Sequence, residues 1–248
     1  MQSSVGKRVF VAGAGGVIGR RMCHLLVTDG YTVIGTTRKP KKIAALEALG
    51  VTPVVVNVFD PEALHDVVVD AKPDIVVHQL TDLPQGLDPK LMADARYKNA
   101  RVREIGTRNL INAAMSARVD RIIAQSIAFA YAPGTRPYEE TAPLNVNATD
   151  DVSALTARAV ASLEQQVLNG PFTGIVLRYG RLYGPGTGFD VPPPGGPVHV
   201  DAAADAARRA ITLGQSDVYN IAEEDGTVSI AKARKVLKWE PDFRIANS

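Results

Sequence analysis

Short apolar runs alternate with longer amphipathic ones along most of this chain. Arg8 to Ala12 (Arg-Val-Phe-Val-Ala) is a β-prone run, and Val17 to Val27 then carries Ile18, Met22, Leu25 and Leu26 at helical spacing. Tyr31 to Thr36 reads as a second strand, Lys42 to Leu49 as a short helix closed by Gly50, and Val51 to Val56 as a buried-type strand. Pro61 to Val69 follows as a helix with Asp60 as N-cap and Pro61 in its first turn, then a strand at Asp74 to His78. Pro89 to Ala117 is one long periodic helix with Ile105, Leu110, Ile111 and Ala114 inward, and Arg121 to Gln125 is a fifth strand. Further helices are predicted at about Asp151 to Leu168, Ala202 to Leu213 and Val228 to Leu237, with a strand at Val218 to Ile221. Such alternation predicts an α/β fold, a doubly wound parallel sheet covered on both faces. Ligands of such sheets lie beyond the carboxyl ends of the strands, here Gly13 to Gly19, Asn57 to Asp60, His78 to Thr81 and Gln125-Ser126.

The first of these strand ends has a chemistry of its own. Gly13-Ala14-Gly15-Gly16-Val17-Ile18-Gly19 stands between a strand and a helix, the context that makes a glycine fingerprint informative. Gly13 permits a sharp turn off the strand, Gly16 lets a pyrophosphate reach the helix N-terminus, and Gly19 lets the helix pack closely on the sheet. The pattern predicts a dinucleotide site. At the end of the next strand an NAD site usually carries a carboxylate for the ribose hydroxyls. Here Thr36-Thr37-Arg38-Lys39 offers none before Glu47, so Arg38 and Lys39 predict a 2′-phosphate and hence NADP, with NAD the less favoured cofactor.

Composition adds limits. A chain of 248 residues suits one α/β domain, or one domain with a small appendage, here mainly about 180–200 and 222–248. The net charge of +2 comes from interspersed charges and makes no case for nucleic acid; the basic spots at Lys39 to Lys42 and Arg101-Val102-Arg103 read as solvated faces. The single cysteine, Cys23, reads as core and fits a reducing compartment. The first strand begins within ten residues of Met1, leaving no room for a signal peptide, and no apolar run approaches a membrane span, so a cytoplasmic protein is expected. The four histidines, His24, His65, His78 and His199, lack ligand-like spacing, and no metal is expected.

Several segments together carry a family resemblance. They are the glycine turn, Asp74-Ile75-Val76-Val77-His78, Asn99 ahead of Gly106-Thr107-Arg108-Asn109-Leu110, and Arg121 to Ala128. Leu177-Arg178-Tyr179-Gly180-Arg181-Leu182-Tyr183-Gly184-Pro185-Gly186 and His199-Val200-Asp201 complete the set in order. The chain resembles the extended short-chain dehydrogenase/reductases, the NAD-dependent epimerase/dehydratase group, which implies a Rossmann sheet with a smaller substrate lobe. The resemblance implies that Gly13 to Gly19 hold the pyrophosphate and that Thr37, Arg38 and Lys39 border the 2′-phosphate. By the same resemblance Asn57 and Val58 meet adenine, and Gln79, Leu80 and Thr81 lie beside the ribose and nicotinamide. Tyr179 and Leu182 then belong to a loop at the nicotinamide, and Ser126 is the serine that bonds the reacting oxygen.

One departure governs the chemistry. The family's Tyr-x-x-x-Lys, its general acid/base and ribose-binding pair, falls on Thr156 and Val160, and no tyrosine or lysine occurs between Ala142 and Phe172. A threonine hydroxyl does not ionise usefully near neutral pH. Three readings remain: an oxidoreductase or epimerase relative with another acid/base (Tyr131 first, then Tyr138, Tyr183 or His199), a non-catalytic NADP-binding sensor, or a non-redox isomerase or lyase. Only nine residues, rich in proline and glycine, separate Phe189 from His199, which predicts a loop without a helix and a cut-down lobe suited to a small molecule. The resemblance also implies a homodimer through the helices at Pro89 to Ala117 and Asp151 to Leu168; the small residues Ala154, Ala157, Ala159 and Ala161 would permit that packing, or equally close packing on the chain's own sheet.

Overall fold

The computed structural model describes residues 6–246, apart from the side chain of Gln85; expectations that reach residues 1–5, 247 and 248 lie outside it. The chain runs β1 (Arg8–Ala12), α1 (Val17–Thr28), β2 (Thr32–Thr37), α2 (Ile43–Glu47), β3 (Thr52–Val55), α3 (Pro61–Ala71) and β4 (Ile75–His78). It continues with α4 (Met92–Arg101), α5 (Thr107–Ser116), β5 (Arg121–Ile127), α6 (Asp151–Leu168), β6 (Thr173–Tyr179), β7 (Arg181–Tyr183), β8 (Pro197–His199), α7 (Val200–Ala210) and β9 (Asp217–Ile221). Seven strands form one parallel sheet in the order β3-β2-β1-β4-β5-β6-β9, so β1 and β4 lie where the winding reverses. The expected doubly wound α/β sheet is therefore what forms.

Strand alternation divides the core. Val9, Val11, Val33, Val77, Ile123, Ile175 and Leu177 face one way, against Met22 and Leu26 of α1, the alanines of α7, and Trp239. Phe10, Ile34, Val76, Ile122, Ala124 and Val176 face the other, against α3, α5 and α6. Trp239 is fully buried, and its indole N–H donates to the Ala202 carbonyl at 2.8 Å, which anchors the C-terminal segment on α7.

Some expected elements change. The long helix from Pro89 to Ala117 is α4 and α5 joined by a π-helical turn over Val102–Gly106, an extra residue per turn that no periodicity argument separates from an α-helix. β5 extends to Ile127, and β6 was not read from the sequence because only Ile175-Val176-Leu177 is strongly apolar there. The expected helix at Val228 starts later: Val228 bridges Tyr138, and the helical turn covers Ala233–Leu237. The proline-glycine stretch ends in β8, which pairs with β7 in a two-stranded unit beside the main sheet.

The position of α1 depends on two glycines. Gly13 adopts φ +91°, and a Cβ there would meet the Gln79 carbonyl oxygen at 2.7 Å; a Cβ on Gly19 would collide with the Gly13 oxygen and the Ala14 backbone. Gly19→Ala is expected to destabilise the fold by about 2–3 kcal/mol through overpacking against rigid backbone, read as a lower urea midpoint at unchanged m-value.

Candidate functional site

The turn from β1 into α1 leaves its helix N-terminus open to an anion. The N-cap is Gly16, no side chain caps it, and the first turn carries no acid. Gly16 N–H bonds the Gly13 oxygen at 3.0 Å and Gly13 N–H donates to Thr36 Oγ1 at 3.3 Å, so the turn is closed by its own backbone and one hydroxyl of β2. Lys42 reaches over this turn and donates to the Gly15 carbonyl. Its pKa is lowered, first by burial and then by Lys39, Arg20 and Lys41. The basic run expected to be a solvated face thus delivers Lys42 to the glycine turn; the run was visible in the sequence, but its direction was not.

Arg38 stands at the end of β2 with its guanidinium paired to Asp82, at 2.7 and 3.3 Å. Thr37 is buried and accepts from Lys39 N–H at 3.1 Å, while Lys39 is exposed. Asn57 is exposed, its Oδ1 accepting from Phe59 N–H at 3.2 Å. Val58 is buried instead, its Cγ1 placed where a Cβ on Gly106 would meet it at 3.1 Å, and its carbonyl accepts from Asn109 Nδ2 at 2.9 Å.

At the end of β4, His78 is buried. Its Nδ1 accepts from Leu80 N–H at 3.2 Å, so Nε2 carries the proton and donates to Thr107 Oγ1 at 2.9 Å. Burial, followed by the charge of Arg103, lowers its pKa from 6.5 to about 4, and it is no proton donor at neutral pH. Gln79 is buried; its Nε2 donates to Tyr179 Oη at 3.2 Å, and its Oε1 has no partner, the one enclosed side-chain atom so placed among the described residues. Leu80 is half-buried and Thr81 exposed. Asn99, buried on α4, accepts from Asp82 N–H at 3.0 Å.

Several of the expected catalytic residues have partners of their own. Ser126 shares a face of β5 with Ile122 and Ala124, is buried, and donates its hydroxyl proton to Glu164 Oε1 at 2.7 Å. Glu164 is in turn gripped by Arg178 through Nε at 2.8 Å and Nη2 at 2.7 Å. Tyr131, the first substitute acid/base, is 8% exposed; it donates to Asn220 Oδ1 at 2.7 Å and accepts from Arg178 Nη1 at 2.8 Å. Burial raises its pKa above the ordinary phenol range, outweighing Arg178. Tyr138 stacks on Tyr131, Tyr183 donates to Glu223 at 2.6 Å, and His199 Nδ1 accepts from Asp201 N–H at 3.2 Å. Tyr179 closes β6 and lies in the core, with its pKa raised by burial, so it does not belong to a loop as expected; Leu182 is half-buried on β7.

The ionisable groups of α6 are Asp151, Arg158 and Glu164. Asp151 and Arg158 are exposed, Arg158 bonding the Val146 carbonyl at 2.9 Å, and Glu164 is held by Arg178. Val160 is fully buried and Thr156 half-buried. No cluster of three or more metal-type ligands occurs among the described residues, and no helix among them is long and apolar enough to cross a membrane.

A sequence model of the NAD dependent epimerase/dehydratase family matches residues 9–196. The chain belongs to that family. It is an NAD(P)-binding, oxidoreductase- or epimerase-like member. A 3-diazoavenalumate denitrifying reductase from a Streptomyces species is 44% identical over 183 residues, 73% of this chain and 58% of that protein. A 2-alkyl-3-oxoalkanoate reductase of Stenotrophomonas maltophilia is 28% identical over 184 residues, 72% of this chain and 52% of its own length. The chain thus spans about half the length of these curated relatives. Among solved structures, the UDP-glucose 4-epimerase of Thermotoga maritima has a TM-score of 0.77 at 18% identity, covering 96% of this chain and 94% of that one. The UDP-glucuronic acid 4-epimerase of Bacillus cereus bound to NAD has a TM-score of 0.73 at 16% identity, covering 96% and 92%. Both structures share the fold of this family member.

His78 makes the fold's stability depend on pH with a defined sign. Folded, it stays neutral down to about pH 4, whereas unfolded it takes a proton near 6.5. The unfolded state binds more protons between those values, so stability falls as pH drops through that window, by about 3 kcal/mol in all. Urea titrations between neutral pH and pH 4.5 should show the loss, and His78→Gln, which keeps a donor for Thr107, should remove most of it.

Proposed function

We propose that this protein is an NADPH-dependent reductase that delivers hydride to a strongly electrophilic small molecule and needs no proton donor at the reacting atom. The observation that carries the reading is the set of spent groups at the strand ends. Ser126, Tyr131 and Glu164 are locked in one buried network, and α6 offers only Thr156 and Val160 where the family's acid/base pair falls. A carbonyl reduction needs a proton on the developing alkoxide. Displacement of a leaving group by hydride does not.

The relative named as a denitrifying reductase of a diazo compound points to such a leaving group. Reduced NADP held at the glycine turn would supply the hydride, so that an arenediazonium ion would give arene, dinitrogen leaving with the electrons of the C–N bond, and oxidised cofactor. The open N-terminus of α1 and Lys42 hold the pyrophosphate, and Arg38 exchanges Asp82 for the 2′-phosphate. Val160, His78 and the Gln79 turn keep water from the reacting face. Ser126 and Tyr131 hold β5, β6 and α6 in register and do not touch substrate.

Two measurements test the reading. Incubation of an arenediazonium salt with NADPH deuterated at the transferable position should give monodeuterated arene with one NADPH consumed per product, while simple ketones consume none. Reduction of ketones at a comparable rate, or arene without deuterium, contradicts it. Fluorescence titration should show NADPH bound more tightly than NADH, and Arg38→Ala should weaken NADPH by about tenfold or more while leaving NADH within about twofold. Equal affinity for the two cofactors contradicts the assignment of Arg38.

A further inference from the structure

Arg103 is the most anomalous charge in the molecule. It is 7% exposed, yet its guanidinium has no hydrogen bond, ion pair or ring contact among the described residues. Its nitrogens are also not fully enclosed, because among the described residues the enclosed side-chain polar atom lacking a partner is Gln79 Oε1. The five donors of the guanidinium therefore have no acceptor among the described residues and stay within reach of solvent or a ligand.

The surroundings of Arg103 follow from the helix face. One turn before Arg103, Asn99 accepts from Asp82 N–H; one turn after it, Thr107 bonds His78 Nε2. Both neighbours thus hold the turn that ends β4, and Arg103 lies between them in the π-helical segment. Across from it, Gln166 of α6 bonds the Glu104 carbonyl at 3.3 Å, so α6 closes the other side. The nearest buried carboxylate, Glu164, is already paired bidentately with Arg178. Arg103, Arg178 and Glu164 together leave one positive charge uncompensated beside the strand ends. Burial pulls the Arg103 pKa down to about 10, so it remains charged at neutral pH. A buried guanidinium left this way costs stability unless an anion completes it.

We propose that Arg103 receives a carboxylate of the substrate, so that the reductase acts on small carboxylic acids. This rests on the reading of the strand ends as a reductase pocket. The planar fork of a guanidinium matches a carboxylate bidentately, and the single uncompensated charge matches a monoanion. Anchored between α4 and α6, the acid would extend towards the ends of β4 and β5, where the nicotinamide half of the cofactor is expected.

The test is calorimetric titration of wild type and Arg103→Met with acetate, benzoate and cinnamate, and with neutral cinnamamide, each with and without saturating NADP⁺. At least one carboxylate should bind wild type and lose about tenfold or more in Arg103→Met, with cinnamamide and NADP⁺ affinities unchanged within about twofold. Arg103→Lys should recover part of the loss, and the melting temperature of Arg103→Met should be equal or higher, since an uncompensated buried charge is removed. Carboxylate binding indifferent to the substitution, or no carboxylate binding to wild type, overturns the proposal. Weakening of NADP⁺ alone also overturns it and makes Arg103 a cofactor contact. Wild type that binds no NADP⁺ sinks the reductase reading as well, and so separates the two failures.

Discussion

The approach of α1 to the end of β1 is the constraint on which the rest of the structure depends. Two backbone segments meet at a distance no side chain fits, with Gly13 in the left-handed region and Gly19 against the Gly13 carbonyl. That contact aims the free amides of the helix at the centre of the sheet's carboxyl edge, where β1 and β4 part the two windings. Lys42 from one side and the Gln79 turn from the other then close on the same point. Position and charge of the anion site follow from one steric fact.

A second constraint organises the other half of the edge. Glu164 ties α6 to β5 through Ser126 and to β6 through Arg178, and Arg178 passes the network on to Tyr131 and Asn220 of β9. In a low-dielectric interior each member is satisfied, which rigidifies the strand ends and removes these groups from proton transfer. The same saturation explains why the loss of the tyrosine and lysine from α6 has no evident replacement nearby: Tyr183 and His199, the other candidates, are likewise engaged. This engagement of Ser126, Tyr131, Tyr183 and His199 is what leads us to propose hydride displacement in place of carbonyl reduction.

Much of this was legible in the sequence, for reasons that differ by residue. The glycine turn was readable because its spacing is dictated by backbone sterics, and the absence of the acid/base pair because it is a statement about residue types. The direction of Ser126 was not legible because a strand's period is two: with β5 running to Ile127, the hydroxyl falls on the face of Ile122 and Ala124, and one residue either way would have reversed it. Tyr131 lies at the expected strand end, but only tertiary packing shows its hydroxyl already bonded twice. Arg103 and Lys42 were read as solvated because charge usually is. Nothing local to Arg101-Val102-Arg103 indicates a π-helical turn, and that turn, packed on α6, is what buries the guanidinium.

In the proposed reaction hydride is delivered without general acid catalysis. The most direct measurement is the rate of a single turnover at saturating NADPH as a function of pH, between about pH 5.5 and 8, with a substrate whose own ionisation lies outside that range. Hydride delivery without proton transfer should give a flat profile and no solvent deuterium isotope effect. A rate that titrates with a group of near-neutral pKa, accompanied by a solvent isotope effect, would show a proton moving in the transition state and contradict it.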